Sequence, residues 1–206
     1  MSTRILLVRH GESEWNASGR WQGWADPELS DLGRQQAVEA AEGVGAVDAI
    51  FASDLQRAGE TARIIGELIG VGPVLTLEGL RERDVGEWSG LTRKEIGERW
   101  PETLEAWSRG EMRPPPGGES NESVIERVLG ALHAIARDWP HAEVLAVAHG
   151  GVIRLLEEHH GVNAGPSPAN LGGVIVDIDE RGAVKVGERV LLIEPSTGHV
   201  TAPTNL

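Results

Sequence analysis

The stretch Ile5-Leu6-Leu7-Val8-Arg9-His10-Gly11 decides how the rest of this chain reads. Four aliphatic residues in a row, two of them β-branched, carry the signature of a buried strand. Residues just past the carboxyl end of such a strand lie where open α/β sheets bind ligands. There Arg9 supplies a permanent guanidinium, His10 an imidazole nucleophile, and Gly11 room for close approach. Chance alone would put this tripeptide in about one or two chains per hundred of this length. The tripeptide therefore needs partners elsewhere in the sequence.

Outward from that strand, a polar, tryptophan-rich loop is expected to run to Leu29. Ser30 can cap a helix over 31–43 with Ala37, Val38, Ala41 and Val44 on its apolar side. Residues 49–52 read as a second buried strand. Ser53 then caps a helix over 54–69, ended by Gly70 and Gly72. A short strand is expected at 74–77, followed by a charged, glycine-punctuated loop over 78–90. Thr92 and Glu95 have capping-box spacing for a modest helix, and 102–108 forms another. The run Pro114-Pro115-Pro116-Gly117-Gly118 is an irregular connection. A long helix over 121–139 precedes Pro140, and 144–148 reads as a strand ending at His149-Gly150-Gly151. Residues 152–160 are helical, and 172–179 with 184–192 form a hairpin around Arg181-Gly182. Strands alternating with helices predict an α/β fold, a three-layer α/β/α sandwich around a mostly parallel central sheet. No repeat or composition break divides residues 1–206, so one domain is expected, with 194–206 as a loosely held tail.

Composition narrows the function. The 206 residues carry 40% hydrophobic and 25% charged side chains, values of a globular chain. A formal charge of −13 argues against a general nucleic-acid binder, although locally converging cations can still hold an anion. The absence of cysteine excludes disulfides, thiol catalysis and thiolate metal sites. The apolar run near residue 5 is too short for a signal peptide, and no run approaches the ~20 residues of a membrane helix. A cytoplasmic location and no membrane association are expected.

Two predicted strands end in histidine followed by glycine, at Val8-Arg9-His10-Gly11 and Val147-Ala148-His149-Gly150. In one parallel sheet both imidazoles emerge at the same edge. Arg57, in the first turn after another strand end, can join them. Two guanidiniums and two imidazoles around one point repel each other and are partly desolvated, so the cluster calls for an anion. A phosphoryl group matches the forked arginine donors. Competing motifs fail: Gly43-Val44-Gly45 lacks a third glycine and follows a helix, and there is no Walker sequence or G-x-S-x-G elbow. The adjacent His159-His160 lacks the i, i+4 spacing of a helical metal site. His133, His141 and His199 are likewise expected to be solvated.

Several blocks then resemble the histidine phosphatase superfamily, also called phosphoglycerate-mutase-like. They are Arg9-His10-Gly11-Glu12-Ser13-Glu14-Trp15-Asn16, Gln22-Gly23-Trp24-Ala25-Asp26, Ser53-Asp54-Leu55-Gln56-Arg57-Ala58, Leu80-Arg81-Glu82, Gly117-Gly118-Glu119-Ser120 and His149-Gly150-Gly151. They occur in order over most of the chain. The resemblance implies that His10 is the nucleophile and carries a covalent phosphohistidine. Arg9, Arg57 and His149 would hold the phosphoryl oxygens. Glu82 would protonate the leaving oxygen and later activate water. Asn16, Gln22, Gly23 and Gly150 follow as further phosphate or substrate contacts. No metal or other cofactor is implied, since the arginines do what magnesium does elsewhere. Trp15, Trp21 and Trp24 are expected to pack the active-site loop, with substrate stacking by Trp21 as the other reading.

The amino-terminal block looks like cofactor-dependent phosphoglycerate mutases, whereas Arg83-Asp84-Val85-Gly86-Glu87-Trp88 and His149-Gly150-Gly151-Val152-Ile153 look like the phosphatase branch. Arg93, Arg109 and Arg113 are candidates for gripping a second acidic group on the substrate. The expectation is a metal-independent phosphomonoester hydrolase acting on a small-molecule phosphate ester. A phosphoglycerate mutase is the alternative within the family, and a non-catalytic phospho-ligand-binding regulatory protein the alternative outside it. A monomer or a homodimer fits the sequence equally.

Overall fold

The computed structural model describes residues 2–109, 114–162 and 165–193. The opening aliphatic run becomes β1 (Ser2–Arg9), followed by α1 (Glu14–Ala17), α2 (Asp31–Gly43), β2 (Ala49–Ala52), α3 (Gln56–Ile69) and β3 (Leu75–Thr76). After two single 3₁₀ turns at Glu78–Leu80 and Gly86–Trp88 come α4 (Arg93–Arg99), α5 (Pro101–Ser108) and α6 (Asn121–Asp138). The described chain closes with β4 (Glu143–Ala148), α7 (Gly150–His159), β5 (Gly172–Asp179) and β6 (Val184–Leu191).

The six strands lie in the order β3-β2-β4-β1-β5-β6. The first four of these run parallel, while β5 pairs antiparallel with β1 and β6 antiparallel with β5. Strand residues alternate between two cores. Ile5, Leu7, Val144 and Ala146 pack with Val128, Leu132, Ile153 and Leu156 of α6 and α7. Val8, Ile50, Leu145 and Val147 pack with Ala37, Ala40, Ala58 and Ile65 of α2 and α3. Burial on both faces explains why these strands read as continuous apolar runs. The architecture is the expected α/β/α sandwich. A third, smaller core gathers Trp21, Val85, Trp88, Ile96, Leu104 and Trp107. Its three buried indoles of Trp21, Trp88 and Trp107 meet edge to face, with centroids 5.1–5.7 Å apart.

Local expectations needed correction in four places. The loop before Leu29 contains α1, whose Ser13 and Asn16 form a reciprocal capping box. On α2, Val38 is half-exposed (51%) and Ala40 takes the buried position. The helix after Ser53 starts at Gln56 because Asp26, thirty residues upstream, accepts the Gln56 N–H at 2.7 Å; Ser53 Oγ instead accepts from Leu55 N at 3.3 Å. The strand expected over 74–77 pairs for only two residues, both exposed. The Thr92–Glu95 capping box of α4 and the hairpin closing the sheet are as expected. The tail from residue 194 lies outside the described residues.

Candidate active site

Parallel pairing of β1 with β4 sets Arg9 opposite Ala148, so His10 and His149 leave the sheet side by side. The backbone ladder extends one step further, with His10 N donating to Ala148 O at 3.1 Å. Both imidazoles are buried, with ring centroids 5.1 Å apart and planes inclined at 62°. Arg57, the second residue of α3, donates from Nε to His10 Nε2 at 3.3 Å. Its two terminal nitrogens donate to Ala25 O (2.8 Å) and Gly23 O (2.9 Å), which fixes the guanidinium plane. A guanidinium is a donor only, so His10 Nε2 must be the acceptor and the ring proton sits on Nδ1. Nδ1 then donates to Gly11 O at 2.6 Å. The tautomer that leaves a lone pair on Nε2 is therefore set by its neighbours.

Electrostatics enforce the neutral ring. Burial first, then Arg57 and Arg9, push the His10 pKa well below the usual 6.5. His149 is depressed likewise, by burial and then by Arg57 and His10. Burial lowers Arg9 and Arg57 each to about 10, with Glu82 the largest opposing influence on both. Arg9 donates to Pro168 O at 3.0 Å, while its Nε and both ring nitrogens of His149 are buried without a protein partner among the described residues. Two buried guanidiniums beside two neutral imidazoles result.

Glu82 enters from the loop after the first 3₁₀ turn. Its carboxylate accepts from Arg83 N (2.9 Å) and from Gly151 N (3.2 Å) in the first turn of α7. A Cβ at Gly151 would lie 2.6 Å from Glu82 Oε1, so any larger residue there would displace the carboxylate. The other expected contact residues have partners of their own. The oxygens of Asn16 and Gln22 both face Ser13 Oγ (3.1 and 2.9 Å), so each carboxamide keeps its NH₂ group as its donor side. Gly23 contributes its carbonyl to Arg57, and a Cβ on Gly150 would sit 3.3 Å from Arg9 Cδ.

Arg93 and Arg109 are placed differently. Arg93 donates to Ser108 Oγ at 2.6 Å, and Arg109 pairs with Glu105 at 2.8 Å on its own helix. Among the described residues, no hydrogen bond links either arginine to the histidine–arginine cluster; Arg113 lies outside them. Trp21 belongs to the small core and Trp15 packs 3.3 Å from the Cβ position of Gly90. Trp24 is half-exposed, donates to Glu82 O at 2.8 Å and lies under the Arg81 guanidinium. His133 and His160 are each tied to a carbonyl, of Gly182 and Leu156.

Some supporting residues escaped the sequence reading. Thr61 Oγ accepts from Gly11 N (3.1 Å) and donates to Arg57 O (2.7 Å), joining the two halves of the cluster. Buried Asn170 donates to His10 O at 2.8 Å, while Leu171 N donates to Arg9 O at 3.0 Å. The i, i+4 spacing of Thr61 to Arg57 was a visible signal. Nothing local marks Asn170, which lies 160 residues from its acceptor.

The chain is similar to known phosphatases and mutases. A metal-independent phosphoserine phosphatase of Arabidopsis thaliana is 40% identical over 159 residues, 75% of this chain and 67% of its own. A 2,3-bisphosphoglycerate-dependent phosphoglycerate mutase of Parvibaculum lavamentivorans is 39% identical over 165 residues, 76% of this chain and 79% of its own. The structure of mycobacterial glucosyl-3-phosphoglycerate phosphatase, solved as a complex with VO3, superimposes with a TM-score of 0.79 at 32% identity, covering 93% of this chain and all of that one. The family model of the histidine phosphatase superfamily (branch 1) matches residues 5–169. With that span, this chain belongs to the histidine phosphatase superfamily.

Proposed function

We propose that the protein is a metal-independent phosphomonoester hydrolase that works through a phosphohistidine at His10. The observation that carries this reading is the Arg57 Nε to His10 Nε2 contact, with Nδ1 tied to Gly11 O. It presents an unprotonated nitrogen beside a fixed cation. In the first step, Arg57 Nε–H turns from His10 Nε2 to a phosphoryl oxygen, and the freed Nε2 lone pair attacks phosphorus as the P–O bond to the leaving group breaks. Protonated Glu82 delivers its proton to the departing oxygen. Arg9, Arg57 and His149 meet the charge on the transferring phosphoryl oxygens. In the second step, the Glu82 carboxylate takes a proton from water, the hydroxide attacks phosphorus, and the P–N bond breaks. Inorganic phosphate leaves and His10 returns to its neutral form. Two guanidiniums supply the positive charge that a divalent cation provides in other phosphoryl-transfer sites.

Hydrolysis rather than isomerisation is supported by the phosphatase-like blocks Arg83-Asp84-Val85-Gly86-Glu87-Trp88 and His149-Gly150-Gly151-Val152-Ile153. The substrate class is a small phosphorylated metabolite, as the names of the phosphatase relatives suggest. A mutase remains the second reading because a named mutase matches three quarters of the chain at 39% identity. His10→Ala should reduce hydrolysis of p-nitrophenyl phosphate to background, with EDTA leaving the parent enzyme unaffected. Undiminished turnover by the variant would overturn the nucleophile, and strong loss with EDTA the metal-free chemistry. Rapid interconversion of 3- and 2-phosphoglycerate in the presence of 2,3-bisphosphoglycerate, without phosphate release, would replace hydrolase by mutase.

A further inference from the structure

We infer that Arg127 is a positioning residue for Glu82, acting through its guanidinium and through Glu119. The inference rests on the reading of Glu82 as the acid. Glu82 rides on a segment that joins no strand, so the carbonyls around it need donors from elsewhere. Arg127, on α6, supplies donors to three of them, and Trp24 Nε1 shares only the carbonyl of Glu82, at 2.8 Å. One terminal nitrogen donates to Gly79 O (3.0 Å) and Arg81 O (2.7 Å), and the other to Glu82 O (2.9 Å). The remaining donors form a fork on Glu119, from Nε to Oε1 (3.0 Å) and from the second terminal nitrogen to Oε2 (2.9 Å). Glu119 Oε2 in turn accepts the Asp84 N–H at 2.9 Å.

Arginine has five N–H donors, and all five are engaged here. The pair brackets the acid on both sides, with carbonyls 79, 81 and 82 before and at it and the amide of 84 beyond it. Gly79 allows the close approach, since a Cβ there would lie 2.8 Å from Arg127 O. Both side chains are largely buried, at 19% and 14% exposure. By contrast, the Glu82 carboxylate has only two backbone N–H groups holding it, so its reach toward a leaving oxygen depends on where the loop places residue 82. Displacements of about 1 Å can cost a hundredfold in rate. After burial, Arg57 and His10, the charge of Arg127 also lowers the pKa of His149. Lysine would keep that charge but not the planar fork.

Leaving-group dependence tests the assignment. p-Nitrophenolate departs without a proton, whereas an alkoxide needs one from the acid. In Arg127→Lys, kcat/KM for an alkyl ester such as glycerol 3-phosphate should fall about tenfold to a hundredfold, within the range general-acid catalysis supplies. The value for p-nitrophenyl phosphate should change less than about threefold by the same principle. Glu82→Gln should show the same selectivity more strongly. In that background Arg127→Lys should cost little more, because no proton is left to position. Equal losses on both esters, or full additivity with Glu82→Gln, would overturn the positioning role while leaving the acid in place. An unselective Glu82→Gln would remove the acid itself and the inference with it. Glu119→Gln weakens the same fork more gently and should repeat the pattern at smaller amplitude if Arg127→Lys does not fold.

Discussion

His10 depends on a backbone held at both ends as much as on its ring. Its N–H is in the β1–β4 ladder and its carbonyl takes the Asn170 amide at 2.8 Å, inside a buried site. The neighbouring Gly11 N–H goes to Thr61. Asn170→Ala removes a donor from a carbonyl that water cannot reach, and an unsatisfied buried acceptor costs about 1–3 kcal/mol. The variant should therefore lose that much in urea unfolding. Its kcat for p-nitrophenyl phosphate should fall further than the KM moves, because the nucleophile rather than the binding arginines is displaced. A variant with parental kcat and stability would show that the bond does nothing for His10. Asn170→Asp should be worse than alanine, since a carboxylate oxygen would then face the carbonyl.

At the scale of elements, close backbone contact and caps decide more than apolar periodicity. Helix α2 docks on the loop that follows His10 through Gly33, where a Cβ would meet Glu12 O at 1.9 Å and the Gly33 carbonyl closes on Gly11. Gly33→Ala must move the helix or that loop, and overpacking of this kind costs about 1–3 kcal/mol or more. Gly130, in the middle of α6, has nothing within 4 Å of its Cβ position. Gly130→Ala should instead stabilise by about 0.5–1 kcal/mol through helix propensity alone. Thermal unfolding of the two variants should thus shift in opposite directions; matching shifts would mean that propensity and not contact governs α2. The same distinction explains what could be read in advance. The span of α2 followed from Ser30, whose hydroxyl accepts the Gly33 N–H within the same turn, because its cap is local. The start of α3 did not, because Asp26 caps it from another loop, and α1 was missed although Ser13 and Asn16 carry its signal. β3 shrank to an exposed edge, where a short apolar run gains little from pairing.

Across the whole molecule, the sheet was legible as a class and not as an order. Two His-Gly strand ends implied one shared edge of a parallel sheet, but nothing in the chain announced that β1 and β4 would be neighbours, or that β5 would return antiparallel beside β1 and bring Pro168 and Asn170 to Arg9 and His10. That closure buries two imidazoles against two guanidiniums, and it has a thermodynamic consequence. The folded-state pKa values of His10 and His149 lie well below 6.5, with burial the leading cause in both. Below about pH 6.5 the unfolded chain therefore binds protons that the folded chain refuses. Stability is full above that pH and falls as pH drops, by about 1.4 kcal/mol per pH unit for each imidazole until the folded protein protonates. Against the 5–15 kcal/mol typical of a domain, two such groups make the slope a visible part of the acid sensitivity. The carboxylates held low by partners, such as Asp54 beside Arg81 and Glu119 beside Arg127, act elsewhere. Their contribution is present above the ordinary carboxylate range and is lost only as pH falls through it, so the histidine window stands clear. Urea midpoints should decline from pH 6.5 to 5, and His149→Asn should roughly halve the slope. A parental midpoint that stays flat across that interval would mean that the imidazoles accept protons in the folded state, and the neutral His10 that the proposed nucleophile needs would fail with it.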